Sequence, residues 1–244
     1  MRKTALTALI AATVLLSACG GDDEPADEST TAEQTGGDTA ETTPPADEPT
    51  EEAGDVDPAA ALLTAEDLPS GVQIVPLDLG EVSGSLDSLE SLLEGIAYEP
   101  ADCAGNDDDP LMREGADGAA ITAVQDADVL VNAVYSGASA DDIAAVGDYY
   151  ERCGEISVTG DAGGQPLDMT VSSQVVDAPD VDADEVIAIE TVTTGSGIPE
   201  IPMRTIYMVD GDYGVYVSGN TTSVLFDFDA LAATALEKLR AARG

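Results

Sequence analysis

Hydrophobicity along this chain falls into three regimes. Residues 5–16 form an uncharged, largely apolar run, residues 20–58 carry almost no large apolar side chain, and from residue 59 onward apolar positions recur or alternate in short segments. In the third regime, residues 60–68 ("AALLTAEDL") predict a short helix stopped by Pro69 and Gly71, and residues 72–79 an extended segment. Leu86, Leu89, Leu92 and Leu93 recur at helical spacing, predicting a second helix with Gly95 near its end. Residues 119–124 and 128–136 alternate or run apolar and are joined through Gln125-Asp126-Ala127, as in a hairpin. Ser139 suits an N-cap, Asp141, Asp142 and Arg152 suit the helix dipole, and Gly154 suits a stop, which marks a third helix. Its stripe of Ile143, Val146, Tyr150 and Cys153 faces a core. Strand-like runs follow at 155–159, 168–176, 185–194, 203–209 and 213–218, the last two joined at Asp210-Gly211, a strong hairpin signal. A final helix starts at Asp227 or Asp229. Ala232, Leu236 and Leu239 form its apolar stripe, and Lys238, Arg240 and Arg243 its basic end. There are no internal repeats. Together these elements predict an α+β fold: an antiparallel sheet of about six or seven strands with helices packed against one face.

The first two regimes are organised as an export signal and a spacer. Arg2 and Lys3 precede the apolar run, which ends in small residues, the layout of a secretory signal. At about 12 residues the run falls well short of the ~20 needed to span a bilayer. Leu16-Ser17-Ala18-Cys19 resembles a bacterial lipobox at all four positions. This likeness implies diacylglycerol on the Cys19 thiol, cleavage after residue 18 and further acylation (palmitate being typical) of the freed amine. Two or three acyl chains, at ~0.8 kcal/mol per buried CH₂, give lasting membrane anchorage. Residues 20–58 hold 14 Asp and Glu, no Lys or Arg, and five Pro, too little apolar surface to offset the entropy of ordering. As a flexible coil they reach roughly 35 Å. The expected domains are therefore residues 1–18 as signal peptide, 19–58 as lipidated cysteine with an acidic linker, and 59–244 as one folded domain on the extracytoplasmic side of the cell membrane.

Charge and missing residue types narrow the function. Residues 59–244 contain 35 Asp and Glu against six Lys and Arg, a formal balance of −29, and nucleic acid is excluded as a partner because phosphate binding needs a cationic face. Docking on anionic lipid by charge fails for the same reason. The acidity is read as a mark of the ionic habitat or composition of the host rather than as a functional message. With Cys19 acylated, Cys103 and Cys153 are the remaining thiols, in a compartment where disulfides persist, and they are expected to pair. In the chain-entropy model, closing a loop of that length stabilises the fold by roughly 4 kcal/mol. The chain has no histidine, which removes Ser-His-Asp and Cys-His catalysis and histidine-ligated zinc. Two acidic runs invite a calcium reading. Asp180, Asp182 and Asp184 mimic the start of an EF-hand loop, but Glu185 stands where Gly is required and Thr191 where a bidentate Glu is required. Asp107-Asp108-Asp109, ended by Pro110, reads as a solvated loop or a weak cation site. No metal or other cofactor is expected.

The segments "LLTAEDLPSG", "PADCAG", "YYERCGEISV" and "GVYVSGNTTS", in that order, resemble the extracellular sensor-like domain of actinobacterial receptor Ser/Thr kinases and of mycobacterial-type lipoproteins that carry the domain alone. That resemblance implies an antiparallel sheet with flanking helices around a ligand-binding cleft. The kinase domains have two disulfides, whereas only Cys103 and Cys153 are present here. No segment reads as a kinase domain, so any signal would pass to a separate partner.

The expectation is a membrane-anchored, non-catalytic module that binds or senses an envelope ligand or membrane protein. A passive structural or adhesion lipoprotein is the alternative, and a hydrolase using carboxylates is a weaker one. Arg204, a lone base on a strand near Asn220, is the one candidate for ligand contact; its competing assignment is an ion pair with neighbouring acids.

Overall fold

The computed structural model describes residues 56–77, 79, 95–104, 109–112, 117–162 and 165–244. They form a single nine-stranded sheet: β1 (Gln73–Leu77), β2 (Ala97–Glu99), β3 (Gly118–Gln125), β4 (Asp128–Ser136), β5 (Glu155–Ala162), β6 (Gln165–Val176), β7 (Glu185–Gly195), β8 (Ile198–Asp210) and β9 (Tyr213–Asn220). The strand order is β1-β3-β4-β9-β8-β7-β6-β5-β2, and every neighbouring pair is antiparallel. The expected six or seven strands are thus too few. At three residues, β2 is too short for alternation to register in sequence. The strand β8 begins five residues before the apolar run at 203, passing through Pro199 and Pro202. These prolines are tolerated because β9 ends opposite Met203, so β8 has a ladder on one side only there.

Both hairpins form as two-residue turns. Gln125 pairs with Asp128 and Asp210 with Tyr213; Asp126 (φ 54°) and Gly211 (φ 62°) supply the left-handed backbone those turns need. The helix expected at 60–68 is instead a single 3₁₀ turn, Pro58–Ala61, capped by the Asp57 side chain. Its apolar residues are still used, because Ala61, Leu62, Leu63 and Leu68 are buried. The helix expected around Leu86–Leu93 lies outside the described residues.

Two α-helices complete the described fold, and they lie on opposite faces of the sheet rather than on one. Helix α1 (Ala140–Arg152) starts in a full capping box, with Ser139 and Asp142 each satisfying the other's backbone N–H. Helix α2 (Phe228–Arg243) is capped by Asp227. Side chains alternate along β8: Ile206 and Met208 join the cluster under α2, while Tyr207 and Val209 join the cluster under α1. Strand β4 divides likewise, with Val134 on the α2 side and Tyr135 on the α1 side. An apolar stripe on a helix specifies that it packs on a sheet, but not on which side. The Cys103–Cys153 disulfide ties the 3₁₀ turn after β2 to the end of α1, both cysteines being buried against Tyr149.

Two predictions follow from this packing. Intact-mass analysis of the oxidised chain should find Cys103 and Cys153 short of two hydrogens, with reduction lowering the melting temperature by several degrees; readily alkylated thiols in the native protein would contradict the bridge. The Lys238 ammonium lies 2.8 Å from Asp67, and this contact, with hydrogen bonds from Thr64, outweighs burial and holds the Asp67 carboxyl below its usual value. The resulting stability is fully present above the ordinary carboxylate value and lost as pH falls through the depressed one. Lys238→Met should therefore reduce that acid-side loss by under about 1 kcal/mol in urea melts compared across pH 2 to 6.

Candidate functional site

On the α2 face, helix and sheet part company where α2 begins, and a cleft of about 310 Å³ opens between them. Its floor is set by register: Glu190 of β7 lies directly opposite Arg204 of β8, with Gly219 of β9 on the other flank of Arg204. Its wall is the link from β9 into α2. Asn220 Oδ1 accepts from the Thr222 backbone N–H at 2.8 Å, Ser223 Oγ accepts from Leu225 N–H at 3.1 Å, and Asp227 Oδ1 accepts from Ala230 N–H at 3.1 Å. Phe226 and Phe228, the only phenylalanines in the chain, line the cleft from within the core. Gly219 is required here, since a Cβ would stand 2.7 Å from the Phe228 ring and 2.5 Å from the Val129 carbonyl oxygen. A second cleft of about 220 Å³ adjoins the first, lined in part by Ser172, Gln174 and Val192, and shares Glu190 with it.

Arg204 therefore lies in a cleft and in ion pairs at once. One terminal nitrogen is 3.4 Å from Glu190 Oε1; the other is 3.0 Å from Asp229 Oδ1 and donates to the Asp177 carbonyl at 3.1 Å. Its side chain is 17 % exposed, and its Nε is buried without a hydrogen-bond partner.

Every other described cation is also engaged within the fold. Arg240 and Arg243 both grip the buried Asp210, at 2.6 Å each, and Arg243 stacks over the Tyr213 ring. Lys238 holds Asp67, and Arg152 lies over the Tyr149 ring at 5.7 Å. Among the described residues no basic side chain is left to form an anion-binding patch.

The remaining sequence candidates disperse. Cys19, Asp107 and Asp108 lie outside the described residues. Asp109 turns inward: the Tyr207 hydroxyl donates to its Oδ2 at 2.9 Å and the Leu111 N–H to its Oδ1 at 3.0 Å. Asp184 Oδ2 accepts from the Gly211 N–H, while Asp182 is fully exposed. Among the described residues no group of three or more Asp, Glu or Cys side chains is close enough to hold a metal ion. Sequence reasoning missed the tyrosine cluster on the α1 face. Burial, reinforced by the Asp109 charge, pushes the Tyr207 and Tyr150 hydroxyls well above their ordinary value, and burial raises Tyr216 as well. These hydroxyls stay protonated, and that of Tyr207 anchors the 109–112 turn to the sheet. The missing signal is non-local, because Asp109 and Tyr207 are 98 residues apart.

No protein-family model matches the chain, and no curated protein matches it. Among solved structures, it is similar to an uncharacterised protein of Mycobacterium smegmatis, the Rv0999 ortholog, at 16 % identity and a TM-score of 0.43 over 76 % of this chain and 98 % of that one. It is also similar to the extracellular domain of PknH from Mycobacterium tuberculosis, at 16 % identity and a TM-score of 0.48 over 75 % of this chain and 94 % of that one. The likeness is distant and of fold alone.

Proposed function

We propose that the chain is a lipoprotein, anchored to the extracytoplasmic side of the cell membrane through acylated Cys19, whose folded domain binds a ligand without turning it over. The cleft around Arg204 carries this reading. It is an open, mostly polar concavity, with hydroxyls from Thr221 and Ser223 and charged groups on its floor, bounded on one side by the largely buried Phe226 and Phe228. The lipobox at residues 16–19 supplies the anchor, and the acidic stretch between it and Val56, where the fold begins, the spacer that lifts the domain from the bilayer. The absence of histidine from the sequence leaves no imidazole for acid–base or nucleophilic chemistry, in keeping with binding. A bound ligand would be reported to a separate envelope or membrane protein.

Three measurements test the proposal. Cys19→Ala should remove the acyl mass and shift the protein out of the membrane fraction; lipid still present on that variant would overturn the anchor. Native mass spectrometry of protein recovered from its own membrane should detect one retained species that Arg204→Gln loses. Turnover of an ester, peptide, glycoside or phosphate substrate, abolished by one substitution with the fold intact, would replace the binding module with an enzyme.

A further inference from the structure

The two outer strands of the sheet follow each other in the chain. β1 lies at one edge and β2 at the other, so the residues joining them have to pass all seven strands between. At about 4.8 Å per spacing that crossing is roughly 38 Å. It is also oblique, because β1 ends beside Gly118 at the start of β3, whereas β2 starts opposite Thr159, toward the far end of β5. Residues 80–94 lie outside the described residues, but both flanks of the crossing are described. A helix over residues 85–94 would extend about 15 Å and the rest of the connection, fully extended, about 33 Å, a reach of roughly 48 Å. That suffices for a direct crossing over one face and leaves little for a detour around an end of the sheet.

Both flanks lie on the α1 face. Gly118 pairs with Tyr135, which belongs to the cluster under α1, and a Cβ on Gly118 would stand 2.9 Å from Tyr135 Cβ and 3.0 Å from Leu79 Cδ1. Leu79 is therefore on that face beside β3. At the far edge the alternation of β5 puts Gly160 on the same face as Ile156, which packs against the Cys103–Cys153 bridge at the end of α1. A Cβ on Gly160 would stand 2.5 Å from the Gly95 carbonyl oxygen and 2.9 Å from Ile96 Cα, so the arriving chain is on this side too. The face between the flanks suits an apolar cover. Thr122, Val131, Ser218 and Thr205 form one row with Ile189 of the α1 cluster, and the Thr205 and Ser218 hydroxyls bond each other at 2.9 Å, so apolar groups can lie on the row without stranding them. In the next row Ala120 and Ala133 are buried, although α1 lies over β6 to β8. Val75 and Val129, set away from a path that leads from Gly118 toward β2, are 51 % and 38 % exposed. In the connection itself, Leu86, Leu89, Leu92 and Leu93 fall on one side of a helix, with Asp87, Ser91 and Glu94 on the other.

We infer that residues 80–94 dock on the α1 face as its second cover, running obliquely beside α1 with the four leucines on the row of Val131, Ser218 and Thr205. The occupant is this chain's own connection, and neither a second copy nor another protein, because both of its ends are already held on that face. The outer strands are thereby tied together across the sheet, on the face opposite the Arg204 cleft, whether or not that cleft binds a ligand.

Photocrosslinking of the full chain tests this. With p-benzoylphenylalanine in place of Leu86, Leu89 or Leu92 in turn, irradiation should give adducts within one chain, mapped by mass spectrometry to α1-facing residues of β4, β9 and β8. Met203, two residues before Thr205 on that face, is a ready target. The same probe in place of Ser91 should leave the sheet unlabelled. Adducts on α2-facing residues such as Val217 or Arg204 would put the crossing on the other face and overturn the inference; adducts of dimer size would give the face to a second copy and do the same. Melting temperatures supply a measurement free of the bulky probe. Leu86→Asp with Leu89→Asp should lower the melting temperature by several degrees, and Ser91→Asp should leave it unchanged. No adduct from any of the three leucine positions, or an aspartate pair as stable as the Ser91→Asp control, would overturn the docking.

Discussion

Strands β4, β9 and β8 bury both of their faces, and that condition determines what the rest of the chain must supply. Val134, Val215, Val217, Ile206 and Met208 need cover on one side, and Tyr135, Tyr207 and Val209 on the other. A single helical layer would leave one set in water, at about 25 cal/mol for each Å² of apolar area. Helix α1 meets the demand on the tyrosine side. On the other side α2 and the segment from Val56 to Leu68 share it, α2 over β9 and β8 and the segment over β3 and β4. Asn132 marks how closely that segment is fitted. It is wholly buried, yet it accepts from the Leu63 N–H and donates to the Tyr216 carbonyl, so both ends of its amide are bonded beneath the cover.

Scarcity of positive charge is the second constraint. With so few cations in so acidic a domain, ordinary surface pairing is impossible for most carboxylates, and the cations are placed where they fix geometry. Arg240 and Arg243 close the end of α2 onto Asp210 at the β8–β9 turn. Arg240 also bonds the Asp182 carbonyl, just as Arg204 bonds that of Asp177, so the loop between β6 and β7 is pinned near both ends of α2. Lys238 draws the Thr64–Asp67 turn onto the same helix. The terminal helix is thereby fastened to three separate parts of the chain, and cations suited to its C-terminal dipole also hold the tertiary structure.

What the sequence made legible is what depends on neighbours along the chain. The Ser139 cap, the two hairpins, the start of α2 at Asp227 and the core-facing stripe that carries Cys153 all rest on spacings of a few residues. What stayed hidden depends on contacts across the sheet. A strand buried on both faces, such as "GVYVS" in β9, loses the alternation that would assign a face, so the placement of helices on opposite sides could not be read. Asp109 belongs to a run that reads as solvated, and only its meeting with Tyr207 turns it inward. Arg204 was visible as an isolated base on a strand, but its pairing with Glu190 depends on the register between β7 and β8, and the nearness of Asp229 on the packing of α2.

The location of the cleft follows from lengths. Nine strands at about 4.8 Å spacing make a sheet roughly 38 Å across, whereas a helix is about 10 Å wide. Each helix therefore covers only part of its face. The helices are staggered, with α1 over β6 to β8 and α2 over β8 and β9, so on the α2 side β7 and β6 extend beyond the cover among the described residues. Such a margin in a free β-rich surface invites pairing or aggregation, and its composition counters this: Ser172, Gln174, Glu190 and Arg204 stand where α2 ends its cover, while the sheet's outer strands carry Pro76 and a three-residue β2 closed by Pro100. A polar margin beside the buried Phe226 and Phe228 is a step in polarity across one cleft.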